Sequence, residues 1–126
     1  MFFEKDIFKR TKRGAYFREE ISTHHHTQLV LMSVNPGDDI GEESHDVDQV
    51  LIFVEGRGKA IVGDETFKVK KGSLVVVPAG AVHNFIAQGR KPLKLFTLYS
   101  PPEEPVGTIH KTKQEAVAAE AAHHSD

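Results

Sequence analysis

Short apolar runs separated by glycine and proline dominate the chain between residues 16 and 100. Runs that are rich in β-branched and aromatic residues and bounded by turn residues are typical of β-strands. Many such runs, about eight to twelve residues apart, predict an all-β sandwich or barrel. We predict strands at residues 28–34, 50–54, 59–62, 66–69, 74–77, 84–87 and 93–99, with an edge strand at 16–21 that pairs back on the first of these.

The pattern changes after residue 110. Thr112-Lys113-Gln114-Glu115 has the sequence of a helix capping box, and an alanine-rich run follows at residues 116–122. Both features favour an α-helix. We therefore divide the chain into a barrel with an N-terminal extension at residues 1–110 and a short helical tail at residues 111–126. The alanine-rich face of the tail is suited to packing on the barrel or on a second subunit.

The composition is that of one soluble domain. The chain has 126 residues, of which 39% are hydrophobic and 27% are charged, and this length suffices for one packed core. Cysteine is absent, which excludes disulfide bonds, thiolate metal ligands and a thiol nucleophile. The charges near the N-terminus and the lack of a run of about 18 apolar residues predict neither a secretory signal nor a membrane span. We expect a cytoplasmic protein.

The net charge of −2 gives no overall attraction to nucleic acid or to an anionic membrane, so we expect neither as a partner. One local basic cluster contains Lys9, Arg10, Lys12 and Arg13, and acidic residues flank it on both sides. We interpret this cluster as a solvated face.

Two of the eight histidines lie beside predicted strands in turn segments. His45 precedes the strand at 50–54, and His83 follows the turn Pro78-Ala79-Gly80. Side chains at the ends of separate strands can converge at the mouth of a barrel, and imidazole is the commonest metal ligand among side chains. His45 and His83 are therefore the first candidates for a metal site.

The spacing around each histidine follows a known motif. Gly37, five residues, Glu43, one residue, His45, three residues, Gln49, six residues and Gly56 follow the first cupin motif. That motif has glycine at both ends, a His-x-His pair and a glutamate.

The second cupin motif is matched more closely. Gly72, five residues, Pro78-x-Gly80, two residues and His83 follow it in the expected order and at a short distance from the first motif. The chain resembles the cupin superfamily over residues 28–102, and in particular the small single-domain cupins grouped with relatives of mannose-6-phosphate isomerase. The resemblance implies a double-stranded β-helix, or jelly-roll barrel, that holds a divalent metal ion and forms a homodimer.

The chain departs from the family pattern at the metal ligands. The first histidine of the family is Glu43 here, the glutamate is Gln49, and the last asparagine of the second motif is Ala87. The usual set of three histidines and one glutamate therefore becomes Glu43, His45, Gln49 and His83.

Three interpretations of this set remain open. In the first, Glu43, His45 and His83 bind the metal with Gln49 as a neutral fourth ligand, a set that suits Zn, Mn, Fe or Ni. In the second, Glu43 points to solvent and the other three residues bind the metal with water. In the third, the metal site is degenerate and the pocket binds only an organic ligand.

Further residues are candidates for binding a substrate. His26 and Gln28 share one face of their strand and match a His-x-Gln pair in the resembling small cupins. Phe85 shares a face with His83, and Tyr99 ends the last predicted strand near the proposed pocket rim.

We interpret the protein as a metal-binding cupin with a small-molecule pocket. An isomerase- or dioxygenase-like enzyme that acts on a sugar or another small polar metabolite is one hypothesis. A non-catalytic ligand-binding or sensing module with a degenerate metal site is the alternative, and the sequence leaves the choice open. If Glu43 is not a ligand, it is the candidate catalytic base, with a pKa raised by burial.

Overall fold

Two antiparallel sheets form the body of the computed structural model, which describes residues 1–124. The larger sheet has the strand order β6-β3-β8-β2-β1-β9, and the smaller has the order β5-β4-β7. This is the jelly-roll barrel with a C-terminal helix that was predicted. The elements are α1 (Ile7–Arg13), β1 (Arg18–Thr23), β2 (Gln28–Val34), β3 (Asp48–Glu55), β4 (Arg57–Val62), β5 (Glu65–Lys70), β6 (Leu74–Val77), β7 (His83–Gln88), β8 (Leu93–Ser100), β9 (Ile109–His110) and α2 (Lys113–His124).

The predicted strands are all present as β2 to β8, and the predicted edge strand β1 pairs with β2. Helix α2 begins as a capping box does, because Thr112 Oγ1 accepts a hydrogen bond from the Glu115 backbone N–H at 3.1 Å. Residues 125 and 126 of the predicted tail lie outside the described residues. Among residues 1–124 no helix is long and apolar enough to cross a membrane.

Helix α1 and strand β9 were not predicted. Asp6 caps α1 by accepting a hydrogen bond from the Lys9 N–H at 3.0 Å. Phe8 packs edge-on against Phe96 of β8, with ring centroids 5.8 Å apart. A helix of two turns has little stability of its own, so this packing on the outer face of the large sheet accounts for its formation.

The core fills the space between the two sheets. Alternate residues of each strand point inward, as the period of two along a β-strand requires. The fully buried side chains include Leu51, Phe53, Phe85, Leu93 and Leu95. Burial of each such side chain stabilises the fold by roughly 1.5–3 kcal/mol, so the apolar interior holds the sheets together.

The barrel has two chemically different ends. The histidine end contains the start of β3, the start of β7 and the last residues of β8, and it includes Gln49, His83 and Tyr99. The basic end contains the turns β3–β4, β5–β6 and β7–β8. Five residues of β7 separate the two ends, a span of roughly 16 Å at the usual strand rise.

Candidate metal centre

Glu43 and His83 lie opposite each other because the segment before β3 pairs with β7. The backbone N–H of Glu43 donates to the His83 carbonyl at 3.0 Å, and the His83 N–H donates back at 2.9 Å. Residues paired in this way in an antiparallel ladder present their side chains on the same face. Glu43 Oε1 therefore lies 3.6 Å from His83 Nε2.

His45 follows two residues later and joins the same group. Its carbonyl accepts a hydrogen bond from the Gly80 N–H at 2.7 Å, which fixes it beside the turn before β7. Its Nε2 atom lies 3.2 Å from Glu43 Oε1. One ligand atom from each of Glu43, His45 and His83 thus lies within 4.8 Å of the other two. Glu43 faces both imidazoles and its side chain is only 17% exposed, so the interpretation that points it to solvent is not supported.

Hydrogen bonds orient both imidazoles in the same sense. His83 Nδ1 lies 3.0 Å from the Ala81 carbonyl oxygen, and His45 Nδ1 lies 3.0 Å from Glu103 Oε1. Because these partners only accept, each Nδ1 carries the proton that it donates, which leaves Nε2 of a neutral ring as the free lone pair. Metal-binding histidines are held in this way by a carbonyl or a carboxylate behind the ring.

Gln49 lies deeper in the same end of the barrel. Its amide Nε2 donates to Thr97 Oγ1 at 3.1 Å and to the Tyr99 hydroxyl at 3.3 Å. Its Oε1 atom is buried and accepts no hydrogen bond. The two donated hydrogen bonds orient the amide and leave its oxygen free, which is the atom that an amide offers to a metal.

The buried atoms without partners fit a metal ion. His45 Nε2, His83 Nε2 and Gln49 Oε1 are all buried and make no hydrogen bond of good geometry. Buried polar atoms in native proteins are almost always paired, so three such acceptors at one barrel end need an explanation. A divalent cation between the two imidazole nitrogens and the Glu43 carboxylate would satisfy both imidazoles.

The charges at this site favour an ionised carboxylate. Burial alone would raise the pKa of Glu43, but the imidazoles of His45 and His83 and the charge of Arg18 outweigh it and lower the pKa to about 2. Burial would likewise lower the pKa of the His45 ring, but Glu43 and Glu103 outweigh it and raise that pKa. The expectation that burial raises the pKa of Glu43 is therefore wrong, and a role of Glu43 as catalytic base stays a prediction.

Gln28 holds a loop over the site instead of facing a free pocket. Its amide donates to the Glu104 carbonyl and to Thr23 Oγ1, both at 2.8 Å. Its Oε1 accepts from the backbone N–H groups of Glu103 and Glu104 at 3.1 and 2.8 Å. All of its hydrogen-bonding atoms are used within the protein, and the loop it holds carries the carboxylate that contacts His45.

Sequence reasoning did not single out Glu103, Glu104 or Arg18. Arg18 is nearly buried on β1, and its Nε lies 3.4 Å from Glu104 Oε1 without a hydrogen bond. Its Nη1 lies 3.5 Å from His110 Nδ1. Burial raises the pKa of Glu104, which the charge of Arg18 only partly offsets. The sequence offered one signal for Arg18, which is its position in the predicted edge strand. The pairing of that strand does not by itself show that Arg18 lies at the histidine end.

The remaining predicted substrate residues lie in different places. His26 is exposed on the β1–β2 turn, where its ring packs edge-on against His25, and the structure does not bring it to the site. Phe85 is fully buried, with its ring centroid 6.0 Å from that of His83. Tyr99 is also fully buried, with its ring 5.7 Å from the His45 ring. Any role of these residues in binding a substrate stays a prediction.

Comparisons with known proteins find relatives that cover most of this chain. The uncharacterized protein YrkC of Bacillus subtilis is 45% identical over 94% of this chain and 67% of its own length. The uncharacterized protein L612 of Acanthamoeba polyphaga mimivirus is 38% identical over 82% of this chain and 68% of its own length. The crystal structure of BH2720 from Bacillus halodurans superposes with a TM-score of 0.90 and 40% identity, covering 92% of this chain and 93% of that one.

A protein-family model also matches the chain. The model described as "Cupin domain" matches residues 30–99, which include β3 to β7, most of β2 and β8, and the candidate ligands Glu43, His45, Gln49 and His83. On this match and on its relatives, the chain belongs to the cupin family.

Proposed function

We propose that Glu43, His45 and His83 bind one divalent metal ion, with Gln49 Oε1 as a neutral fourth ligand. The observation that carries the proposal is the convergence of two free imidazole nitrogens and a carboxylate oxygen within 4.8 Å. Two neutral imidazole nitrogens and an ionised oxygen repel one another, and a divalent cation among them relieves this repulsion.

The donor set bears on the choice of metal. Two imidazoles and one carboxylate suit Fe, Mn, Ni or Zn in the divalent state better than Ca or Mg, which prefer oxygen ligands. Such an ion supplies Lewis-acid polarisation of a bound oxygen or, where it is redox-active, oxygen chemistry. Glu103 and the Ala81 carbonyl keep the two Nε2 atoms aimed at it.

We propose that the ligand of this site is a small polar metabolite that carries an anionic group, and that the protein is an isomerase- or dioxygenase-like enzyme acting on it. Arg18 supports an anionic ligand, because its nearly buried guanidinium has five donors, its Nε makes no hydrogen bond within the described residues, and its charge acts on Glu43 of the site. A carboxylate or phosphate group of a ligand can accept two parallel hydrogen bonds from the planar guanidinium, which Glu104 does not do.

Elemental analysis of protein purified without a metal-affinity column tests the metal site. We expect close to one first-row metal ion per chain in the native protein and a loss of that metal in His83→Ala. His26→Ala removes an exposed imidazole and is the matched control, which should keep its metal. Retention of metal by a folded His83→Ala protein would contradict the proposal.

A non-catalytic binding module with a degenerate site is the second candidate. His45 lies between two carboxylates, Glu43 at 3.2 Å and Glu103 at 3.0 Å, and a protonated imidazole would satisfy both without a metal. In that case the native protein contains no metal, and a thermal-shift screen of carboxylates and phosphosugars finds a ligand without turnover.

We also propose that the protein is a cytoplasmic homodimer. Leu74 and Val76 are 59% and 56% exposed on β6, the edge strand of the larger sheet. A second copy can pair with this open edge and cover these side chains. Light scattering should give a dimer for the native chain and a monomer for Leu74→Asp, whereas Val106→Asp, at a loop position that is even more exposed, should stay dimeric. A native monomer would contradict this assembly.

A further inference from the structure

A cavity of about 430 Å³ lies at the basic end of the barrel, far from the metal centre. The β3–β4, β5–β6 and β7–β8 turns and the end of α1 form its walls. Its lining contains six cationic side chains and one acidic side chain, that of Glu55. The six are Lys12, Arg57, Lys70, Lys71, Arg90 and Lys91.

These cations have no carboxylate partner within the described part of the chain. Within residues 1–122, whose side chains the structure describes, none of the six makes an ion pair, whereas Arg10, Arg18 and Lys113 elsewhere each contact a carboxylate. The chain has more acidic than basic residues, so carboxylates are not scarce. Because carboxylates are nearly absent from the cavity, its local potential is positive although the net charge of the chain is negative.

Two glycines shape this cavity. A Cβ atom at Gly89 would lie 3.0 Å from Arg57 Nε and 3.4 Å from its Cζ, so the guanidinium rests on the bare backbone of the β7–β8 turn. A Cβ atom at Gly56 would overlap the Pro92 carbonyl, so the β3–β4 and β7–β8 turns pack backbone to backbone. Both glycines have positive φ, 80° at Gly89 and 83° at Gly56, which favours glycine for a second reason. The Arg57 guanidinium therefore lies against the β7–β8 turn, which also carries Arg90.

We propose that this cavity is a second binding site, which takes a small anion with two or more phosphate groups. Its volume lies in the range of small-molecule sites, roughly 300–1,000 Å³. Arginine forks bind phosphate oxygens in pairs, and lysines around them supply further charge. The surface outside the cavity is net negative, which disfavours nucleic acid or an extended anionic surface as the occupant. This site does not depend on the metal centre.

Inorganic pyrophosphate is the probe. The protein is first freed of metal by dialysis against a chelator and then against buffer, because pyrophosphate would otherwise also bind a metal ion. Calorimetric titration at low ionic strength should show one pyrophosphate per chain, with an affinity that falls as salt is added. The double variant Arg57→Gln, Arg90→Gln should weaken binding by about tenfold or more, since it removes both forks.

The control is the double variant Lys59→Gln, Lys68→Gln. These two lysines lie opposite each other on β4 and β5 and do not line the cavity. Their replacement removes the same amount of charge as the arginine double variant. They should change the affinity by less than about threefold, because exposed charges at a distance are screened. Equal weakening by both pairs, or no saturable binding of pyrophosphate, would contradict the proposal. Binding to phosphatidylglycerol vesicles but not to pyrophosphate would identify a lipid surface instead and would also overturn it.

Discussion

The histidine end and the basic end of the barrel use opposite means to attract a ligand. At the histidine end, the ligand side chains are buried or half-buried, and Ala81 and Glu103 accept hydrogen bonds that orient the two imidazoles. At the basic end, the cations are exposed, and the Arg57 guanidinium lies against the backbone of Gly89.

This difference has a physical cause. A metal site needs a few donors at short, fixed distances, so the barrel interior and the loop over it must position them. Attraction of a polyanion depends on summed charge over several ångströms, for which mobile lysines suffice. The same barrel therefore supplies precise geometry at one end and a positive field at the other. The predictions below test whether the two ends differ in this way.

The largest expected effect is on the loop over the metal centre. Gln28→Ala removes four hydrogen bonds of a fully buried side chain and should reduce the free energy of unfolding by about 2–3 kcal/mol. Urea denaturation measures this loss. Gln88→Ala, at an exposed position, should stay within about 0.5 kcal/mol of the native protein. A loss as small for Gln28→Ala would show that its hydrogen bonds do not hold the loop.

The next effect concerns the carboxylate behind His45. Glu103→Ala should weaken metal binding by about ten- to a hundredfold, because His45 loses the acceptor that orients it. Glu42→Ala, an exposed neighbour of the site, serves as the control and should bind metal like the native protein. Competition with a metal indicator measures both affinities. An unchanged affinity in Glu103→Ala would mean that His45 needs no support from this loop.

The candidate metal ligands could be predicted from the sequence, whereas the residues that support them could not. The spacing of His45 and His83 in two local motifs predicts the metal site, because each motif is a strand and its turn. Gln28, Glu103 and Arg18 depend on contacts between segments about 75 residues apart or more. Such contacts follow from how the 101–108 loop folds back, which no local pattern encodes.

A third effect is smaller and depends on pH. Lys113 of α2 forms ion pairs with Asp38 and Asp39, and a hydrogen bond from Asn84 and then the contact with Lys113 lower the pKa of Asp39. A lowered carboxyl pKa stabilises the fold above the unfolded value of about 3.9, and this stability is lost as pH falls through the folded pKa.

Lys113→Met should therefore be less stable than the native protein at pH 7 by less than about 1 kcal/mol, since the pair is partly exposed. The difference should shrink as the pH falls below 4 and Asp39 takes up a proton in both proteins. Urea denaturation at each pH measures it. The exposed Lys111→Met should show no such pH dependence, and an equal dependence in both variants would contradict the role of the Lys113 pair.

The smallest expected effect is a crossed comparison of the two ends. Arg57→Gln, Arg90→Gln should leave metal affinity within about twofold of the native value, because roughly 16 Å of barrel separates these residues from His83. Glu103→Ala should likewise leave pyrophosphate binding unchanged. A clear effect of either change on the other site would mean that the two ends are coupled.

Anomalous diffraction from a crystal of the protein grown with Mn or Zn tests the metal centre most directly. The account predicts one strong peak enclosed by Nε2 of His45, Nε2 of His83 and Oε1 of Glu43, with Gln49 Oε1 on its inner side. A peak at the exposed residues His24–His26 alone, or none at the histidine end while the metal is in excess, would contradict it.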